Sequence, residues 1–404
     1  MRNLSLQKYL RSHSDVSHDI LQTLEELPSK LSHICVVPIK NESEEFWKSL
    51  ETWLRLRSKA EALFILVINA RQTDSRACLA ANQALVEKLL SRSDSANSKL
   101  REGQYSYCFK IQATNFCVLH HSQQGFFFKE KQGVGLARKI GFDLACQLFA
   151  TGRMQGSWIH SSDADARLPD DYFLRVSESN AQEFSAALYP FFHLTDGLGD
   201  YKEALRFYDY SIRYYADQLK WARSPFAYVS LGSCLAIPVQ AYAQVRGFPN
   251  REAGEDFYIL NKLRKIGPIQ ELVGQPIELQ GRLRTEVLFG TTQSTLKIGD
   301  QLKKGCLPEL YDPRCFAELK ELLTAFRDSQ LERLSERTRF VLQKQGHWAE
   351  LLKIQEQERE PRRSQRFLEF FDALKSLRFV HEMTREFYPK QALKSPRQPQ
   401  LVQL

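Results

Sequence analysis

Long apolar runs are missing from this chain, although 43% of its 404 residues are hydrophobic. The longest charge-free stretch around an apolar centre, Ala62 to Ala70, falls far short of the roughly 20 residues that a membrane-spanning helix needs. The opening segment, MRNLSLQKYLRSHSDVSHDI, mixes charges and histidines where a secretory leader would carry an apolar centre, so the chain is expected in the cytoplasm. Paired cysteines are missing too. Cys35, Cys78, Cys108, Cys117, Cys146, Cys234, Cys306 and Cys315 form no CxxC pair and have no histidines at zinc-finger spacing, which excludes a zinc-finger reading and predicts reduced, mostly buried thiols. Low complexity and internal repeats are absent, and with 26% charged and 11% aromatic residues the composition is that of a folded chain.

What is present is an excess of positive charge, +8 at pH 7, which admits an anionic partner: nucleic acid, a phosphorylated small molecule or a membrane surface. Leu21, Leu24 and Leu27 predict a short amphipathic helix leading in from residues 1–30. His33 to Ile39 is a β-branched apolar run followed by a polar loop, Asn41 to Ser43, and a predicted helix from Glu44 to Ser58. Ala62 to Asn69 reads as a strand buried on both faces, as parallel sheets require. A helix over Asp74 to Ser91, a polar connection over 92–103, strand from Tyr105 to Leu119, a Gly133-Val134-Gly135 turn, a helix to about Gly152 and a strand over Trp158 to Ser162 follow. This alternation predicts a doubly wound α/β domain with its ligand beyond the carboxyl ends of the strands. From Phe316 to about Tyr388 the sequence favours helix, with Pro361 as a break, and the last residues, KSPRQPQLVQL, read as a frayed tail.

The sharpest local signal is SSDADARLP, Ser161 to Pro169, directly after a predicted strand. Two carboxylates one residue apart at a strand end can share a hard divalent cation that keeps positions open for diphosphate oxygens. A solvated acidic turn with Asp163 as a helix cap is the plainer alternative. Further on, Gly232 to Pro238 reads as a short strand, then Val239 to Val245 as a helix. Gly254-Glu255-Asp256 opens the next helix, Phe257 to Ile266. Capping could account for Glu255 and Asp256; a catalytic base would need one of them facing a substrate.

Taken together these segments resemble the GT-A glycosyltransferases, family 2-like members above all, with a Gly-Glu-Asp segment similar to the carboxyl-terminal part of galactosyltransferase-type enzymes. HICVVPIKNE looks like the opening strand and loop VVIPxYNE, GVGLARKIGFD like GxxxARNxG, DADARLP like the DxD, and RGFPNREAGEDFYILNKLRKIG like GGFxxxxxxEDxxLxxRxxxxG. The resemblance covers roughly residues 30 to 290. It implies a GT-A fold over 31–310, preceded by the lead-in and followed by a helical extension over 311–404. The activity implied is transfer of a sugar from a nucleotide-diphosphate donor to a hydroxyl acceptor, a glycan or lipid-linked sugar among others, with inversion and with Mn or Mg as cofactor. Pro38 through Glu42 would border the base, Asn69 or Asp74 would lie near base or ribose, and Arg138 would hold the base or the diphosphate. Asp163 would meet the ribose or a metal-bound water, and Asp165 the metal. Asp256 would take the acceptor proton, with Glu255 hydrogen-bonding acceptor or sugar.

Departures qualify the pattern. Lys40 and Lys139 replace the Tyr of PxYNE and the Asn of ARN, adding positive charge beside phosphates or at the surface. No QxxRW segment follows, which argues against a processive synthase. No third metal ligand stands out, since only His347 and His381 follow Asp256. Arg282, Arg284 and Thr285 could close over the diphosphate or lie in a surface loop. Tyr210, Tyr214 and Trp221, in an aromatic stretch, are acceptor candidates or helix packing. His120-His121 reads as a loop or edge pair, because neighbours on a strand face opposite ways. The Phe367, Phe370, Phe371, Leu374, Leu377 stripe with basic neighbours either packs on the catalytic domain or docks at the inner face of a membrane. Two other functions compete. One is a nucleotidyltransferase, which the separate Glu-Asp helix start disfavours. The other is a non-catalytic nucleic-acid-binding or assembly module, disfavoured by acidic loops and by the lack of a known nucleic-acid motif.

Overall fold

In a computed structural model, which describes residues 2–16, 20, 27–28, 30–42, 44–94, 104–176, 178, 180–283 and 290–392, the expected apolar runs form the centre of a sheet. His33–Ile39 is β1 and Ala62–Asn69 is β2, and they pair in parallel over seven positions, His33 opposite Ala62 through Ile39 opposite Ile68. Every residue of β2 is buried. The remaining strands of the α/β unit are β3 (Ser106–Ile111), β4 (Thr114–His121), β5 (Trp158–Ser161), β6 (Ala166–Arg167), β7 (Ala186–Leu188), β8 (Phe191–Leu194), β9 (Leu235–Pro238), β10 (Ile269–Glu271) and β11 (Ile277–Gln280).

Eight of them form one sheet in the order β10-β7-β9-β5-β1-β2-β4-β3, and β6-β11-β8 form a second. The parallel arrangement expected from sequence holds for β5, β1, β2 and β4 and again between β10 and β7, and it fails where β9 runs antiparallel to both β5 and β7 and where β3 runs antiparallel to β4. The stretch read as one strand from Tyr105 to Leu119 is therefore a hairpin. Its turn residues, Gln112 and Ala113, have φ of 48° and 69°. Both lie in the left-handed region that a two-residue hairpin of this hand demands. Neither is glycine, and the Asp94 carboxylate offsets the cost by accepting both turn N–H groups, at 3.1 and 3.3 Å.

Both faces of the sheet are covered. Phe46, Leu50 and Trp53 of helix Glu44–Trp53 and Leu85, Val86 and Leu89 of helix Arg76–Ser91 share one core with Cys35, Val37, Ile39, Phe64, Leu66 and Ile68. Trp53 stacks on Phe64 at 4.9 Å between ring centroids; burying such side chains contributes roughly 1.5–3 kcal/mol apiece. That helix stops at Trp53, short of the predicted Ser58, and a single 3-10 turn, Lys59–Glu61, leads into β2. On the opposite face lies helix Val134–Ala150, so close that a Cβ on Gly141 would stand 2.3 Å from Val36 Cγ1. Helix Arg2–Ser12 packs on helices Val134–Ala150 and Val239–Gln244 through the buried Leu6 and Tyr9. Of the lead-in leucines, Leu21 and Leu24 lie outside the described residues and Leu27 is buried.

The chain divides into two compact units, residues 1–194 with 231–280, and 195–230 with 281–404. The second unit thus takes in residues 195–230 as well as the chain after Gln280. Helix Lys202–Trp221 joins the helical unit because Leu219 and the adjacent Ala222 enter a core with Phe316, Leu319, Leu342, Phe371, Phe379 and Met383. Sharp helix starts organise this unit: Asp312 accepts from Arg314 N–H ahead of Pro313, Ser335 from Thr338 N–H, and Asp372 from Lys375 N–H. Pro361 separates helices Trp348–Gln357 and Arg362–Phe370 as expected. The aromatic stripe packs within this unit, where Phe367 and Phe371 are core residues, while Arg362, Arg363 and Arg366 pair with Glu358, Glu360 and Glu369. Among the described residues no helix is long and apolar enough to cross a membrane.

Candidate active site

Strand β1 outlasts one of its partners. Its pairing with β5 covers only Ile34 to Val36, closed by Ser162 N–H on the Val36 carbonyl at 3.0 Å, while its pairing with β2 continues to Ile39. In a parallel strand alternate residues address the same neighbour, so Pro38 turns its missing N–H toward the β5 side, where pairing has ended. The chain leaves β1 toward β2 and later returns to its other side as β5, so this is a topological switch point, the place where open α/β sheets bind ligands. Lys40, Asn41 and Glu42 leave from one rim and Ser162 to Asp165 from the other.

The β1/β2 rim is tied internally. Asn69 donates its side-chain amide to the Ile39 and Val67 carbonyls at 3.0 and 3.2 Å. Asn82 donates to the Asn69 carbonyl and accepts from Asn41 N–H, which holds Asn41 at φ 53°. Asp74 accepts from Lys40 Nζ at 2.8 Å and from Arg71 N–H at 2.8 Å. Burial pushes its carboxyl up, but the Lys40 and Arg71 bonds outweigh this and leave it below the usual range. Lys40, expected near phosphate, is thus paired with Asp74, and Pro38 and Glu42 are partly exposed beside it.

Helix Val134–Ala150 sends Arg138 to the centre of the site. With 3% exposure, its guanidinium donates through Nε to Glu255 Oε1 (3.0 Å), through Nη1 to Ser161 Oγ (2.6 Å) and the Ser162 carbonyl (3.2 Å), and through Nη2 to Asp163 Oδ1 (2.6 Å). Burial works against its charge, yet Asp163 and Glu255 outweigh that and keep it firmly protonated. Its guanidinium is thus held by partners at the end of β5 and at the Glu255 helix start. Lys139, one residue on, points elsewhere: it is buried and paired with Asp143 at 2.6 Å and Asp15 at 2.9 Å, where Asp143 also receives the Tyr9 and Tyr242 hydroxyls. Successive helix residues diverge by about 100°, so the neighbours serve different sites.

The third carboxylate comes from the predicted helix start. Gly254, at φ 73°, turns the chain into helix Glu255–Arg264. Glu255 is 4% exposed, and Asp256 is only partly exposed. Asp256 accepts from Phe257 N–H at 2.7 Å and Gly232 N–H at 3.0 Å. Burial first, then the charge of Glu255, push its carboxyl up to about 7, against the opposing pull of those N–H groups and Arg138. A Cβ at 232 would lie 2.6 Å from Arg138 Nη2, so a larger residue there would have to displace the guanidinium. The segment before Asp256 is anchored as well: Gly135 N–H donates to the Arg251 carbonyl and Arg71 pairs with Glu252 at 2.6 Å. In the sequence Ser161 opens the acidic segment and Gly232 a short predicted strand with no role assigned to either, and Arg71 is marked by no motif.

His120 and His121, on consecutive β4 positions, are each pushed down to about 4 by burial and are therefore neutral. His160 is wholly buried, with Nδ1 2.9 Å from the Tyr189 hydroxyl. Tyr210, Tyr214, Trp221, Arg282, His347 and His381 belong to the helical unit. There Tyr214 donates to the Tyr311 carbonyl, Lys320 lies 4.0 Å over the Trp221 ring, Thr292 donates to the Arg282 carbonyl and His381 Nε2 lies 2.7 Å from the Tyr311 hydroxyl. Arg284 and Thr285 lie outside the described residues.

Asp163 and Asp165 remain as metal-ligand candidates. No group of three or more His, Cys, Asp or Glu able to hold a metal exists among the described residues. Two carboxylates nevertheless suit Mg or Mn, ions that take one or two protein oxygens and fill the rest with phosphate and water. Beside them Ser162 Oγ is buried without a hydrogen-bond partner among the described residues, so this strand end retains an unused oxygen.

No family model matches the chain, and no curated protein does. Among solved structures, S. aureus TarS 1-349 in complex with UDP-GlcNAc is similar at 12% identity and a TM-score of 0.41, over 88% of this chain and 92% of that one. Mannosyltransferase PcManGT from Pyrobaculum calidifontis, in complex with GDP-Man and Mn2+, is similar at 12% identity and a TM-score of 0.37, over 93% of each chain. Likenesses this distant carry no argument about chemistry, which rests on the residues described above.

Proposed function

We propose that this chain is a GT-A-type glycosyltransferase that moves a sugar from a nucleotide-diphosphate donor to a hydroxyl acceptor. The observation that carries the reading is the position and state of Asp256. A carboxyl pushed toward neutrality sits at a helix start, tied through Glu255 and Arg138 to Asp163 at the β1/β5 switch point. A base for a hydroxyl works best with a pKa near the working pH, and donors to this sheet type bind where Asp163 lies.

In this reading Pro38, Glu42, Asn69 and Asp74 border the nucleoside. Asp163 and Asp165 would hold Mg or Mn, which when bound would neutralise charge on the departing diphosphate. Asp256 accepts the proton of the acceptor hydroxyl. As that oxygen bonds to the anomeric carbon, the bond from this carbon to the diphosphate oxygen breaks, and the nucleoside diphosphate leaves with the electron pair. A single displacement inverts the anomeric centre. Glu255, held by Arg138, keeps the Asp256 proton affinity high. In a nucleotidyltransferase the nucleophile would attack phosphorus, a reading that the separate Glu-Asp helix start disfavours.

The test is a screen of nucleotide sugars for transfer or hydrolysis with and without Mn2+ or Mg2+, repeated with Asp165→Ala and Asp256→Asn. Metal-stimulated turnover that both substitutions abolish is expected. Turnover indifferent to metal and to both substitutions removes the reading.

A further inference from the structure

One buried cation serves both halves of the site, and its geometry differs from that of a phosphate ligand. Each nitrogen of the Arg138 guanidinium already donates within the protein: Nη1 and Nη2 to Ser161, Ser162 and Asp163 at the end of β5, and Nε to Glu255 at the start of the helix that carries Asp256. Gly232 lies flat against the same guanidinium, and its N–H holds Asp256. The planar fork therefore touches the donor-side strand end, the acceptor-side helix and the backbone that fixes the base. At 3% exposure it presents almost no surface to a ligand.

We infer that Arg138 is a positioning residue that holds Asp163 and the Glu255-Asp256 helix start in one rigid frame, and that it does not bind the donor phosphates. The inference rests on the glycosyltransferase reading above and deepens it. A fixed guanidinium plane has directed donors in several directions at once, which an ammonium lacks. Losing the frame moves the base relative to the donor, and a displacement of about 1 Å in such a geometry costs on the order of 100-fold in rate. Losing a direct phosphate contact would act on nucleotide affinity instead.

The experiment compares wild type with Arg138→Lys, Arg138→Gln and Ser161→Ala, the last removing one partner of Arg138 while keeping its charge. UDP and GDP are titrated without metal, kcat and KM are measured with the donor found in the screen, and melting temperatures are recorded. Expected are nucleotide affinities within about 3-fold of wild type and kcat losses of about 100-fold for both Arg138 variants, following the misplacement argument. Ser161→Ala should fall in the same direction by less, and in one further variant, Arg138→Ala, millimolar guanidinium should restore part of kcat without changing KM. Nucleotide affinity that drops about 10-fold or more in folded Arg138→Gln overturns the inference, since a lost phosphate contact acts there. Equal kcat in Arg138→Lys and wild type overturns it too. If the Arg138 variants do not fold, Ser161→Ala decides: unchanged kcat overturns the inference. Wild type that binds neither UDP nor GDP and turns over no nucleotide sugar overturns the function itself, a result separate from these.

Discussion

Two buried carboxylate clusters, one in each unit, show opposite uses of the same chemistry. In the helical unit Glu318 accepts from Ser335 Oγ at 2.6 Å, Thr338 Oγ1 at 2.8 Å and the Tyr388 hydroxyl at 2.9 Å. Burial raises its carboxyl, but those three hydroxyls and Arg337 outweigh burial and bring it below its ordinary value. In the α/β unit Asp256 receives two backbone N–H groups, stands beside the like charge of Glu255, and is raised. A carboxylate supplied with donors is a structural joint; one left short of them beside a second carboxylate is poised to take a proton. Strain of this kind is tolerated where chemistry needs it, and the neighbouring Arg138 frame holds it in place.

The strongest way to break the comparison is to remove the proton acceptor. Asp256→Asn should lower kcat by about 100- to 10,000-fold, the span of general base catalysis, and leave the melting temperature equal to wild type or higher, because a neutral amide relieves repulsion from Glu255. A lower melting temperature with preserved turnover would make Asp256 structural like Glu318. The converse substitution, Glu318→Ala, orphans three hydroxyls at about 1–3 kcal/mol each at most, so a stability loss on the order of 3 kcal/mol is expected in urea unfolding. The turnover of the folded fraction should not change. Gly141→Ala, whose Cβ meets Val36, should cost about 1–3 kcal/mol. Because it displaces the helix that carries Arg138, it should lower kcat as well, unlike Glu318→Ala.

The finest test is the pH dependence, in which the two carboxylates have opposite signs. Asp256 is raised to about 7 from an ordinary 3.8, so its ionisation destabilises the fold fully above about 7, and that penalty fades as pH falls toward 3.8. Asp256→Asn should therefore exceed wild type in stability at pH 8 and converge with it near pH 4. Glu318 is lowered from 4.5, so it contributes stability above 4.5 that is lost as pH falls through its folded value. Glu318→Gln should trail wild type at pH 7 and approach it in acid. In rate measurements, kcat/KM should fall as pH drops through about 7, and Glu255→Gln should move that limb to lower pH. An unmoved limb would remove Glu255 as the cause.

Much of the fold was legible because its central strands are unbroken apolar runs: β1 and β2 lie where the sequence placed them. The β3/β4 hairpin was not legible, because its turn is stabilised by Asp94, distant in sequence, instead of by glycine. At the site, Asp163, Glu255 and Asp256 stood out as acids at a strand end and a helix start. The direction of Arg138, the diversion of Lys139 to Asp143 and the service of Gly232 to Asp256 did not, because each depends on which distant backbone comes to lie beside it.

Local sequence thus decided which segments are strand or helix and which residue types stand at their ends, since apolar period and helix-start chemistry act over a few residues. The folded sheet alone decided that β1 parts from β5 after Val36, that Arg138 joins two carboxylates 92 residues apart, and that Asp256 holds its proton near neutrality. Burial and like-charge proximity set that last property, and both exist only once residues remote in the chain are packed against one another.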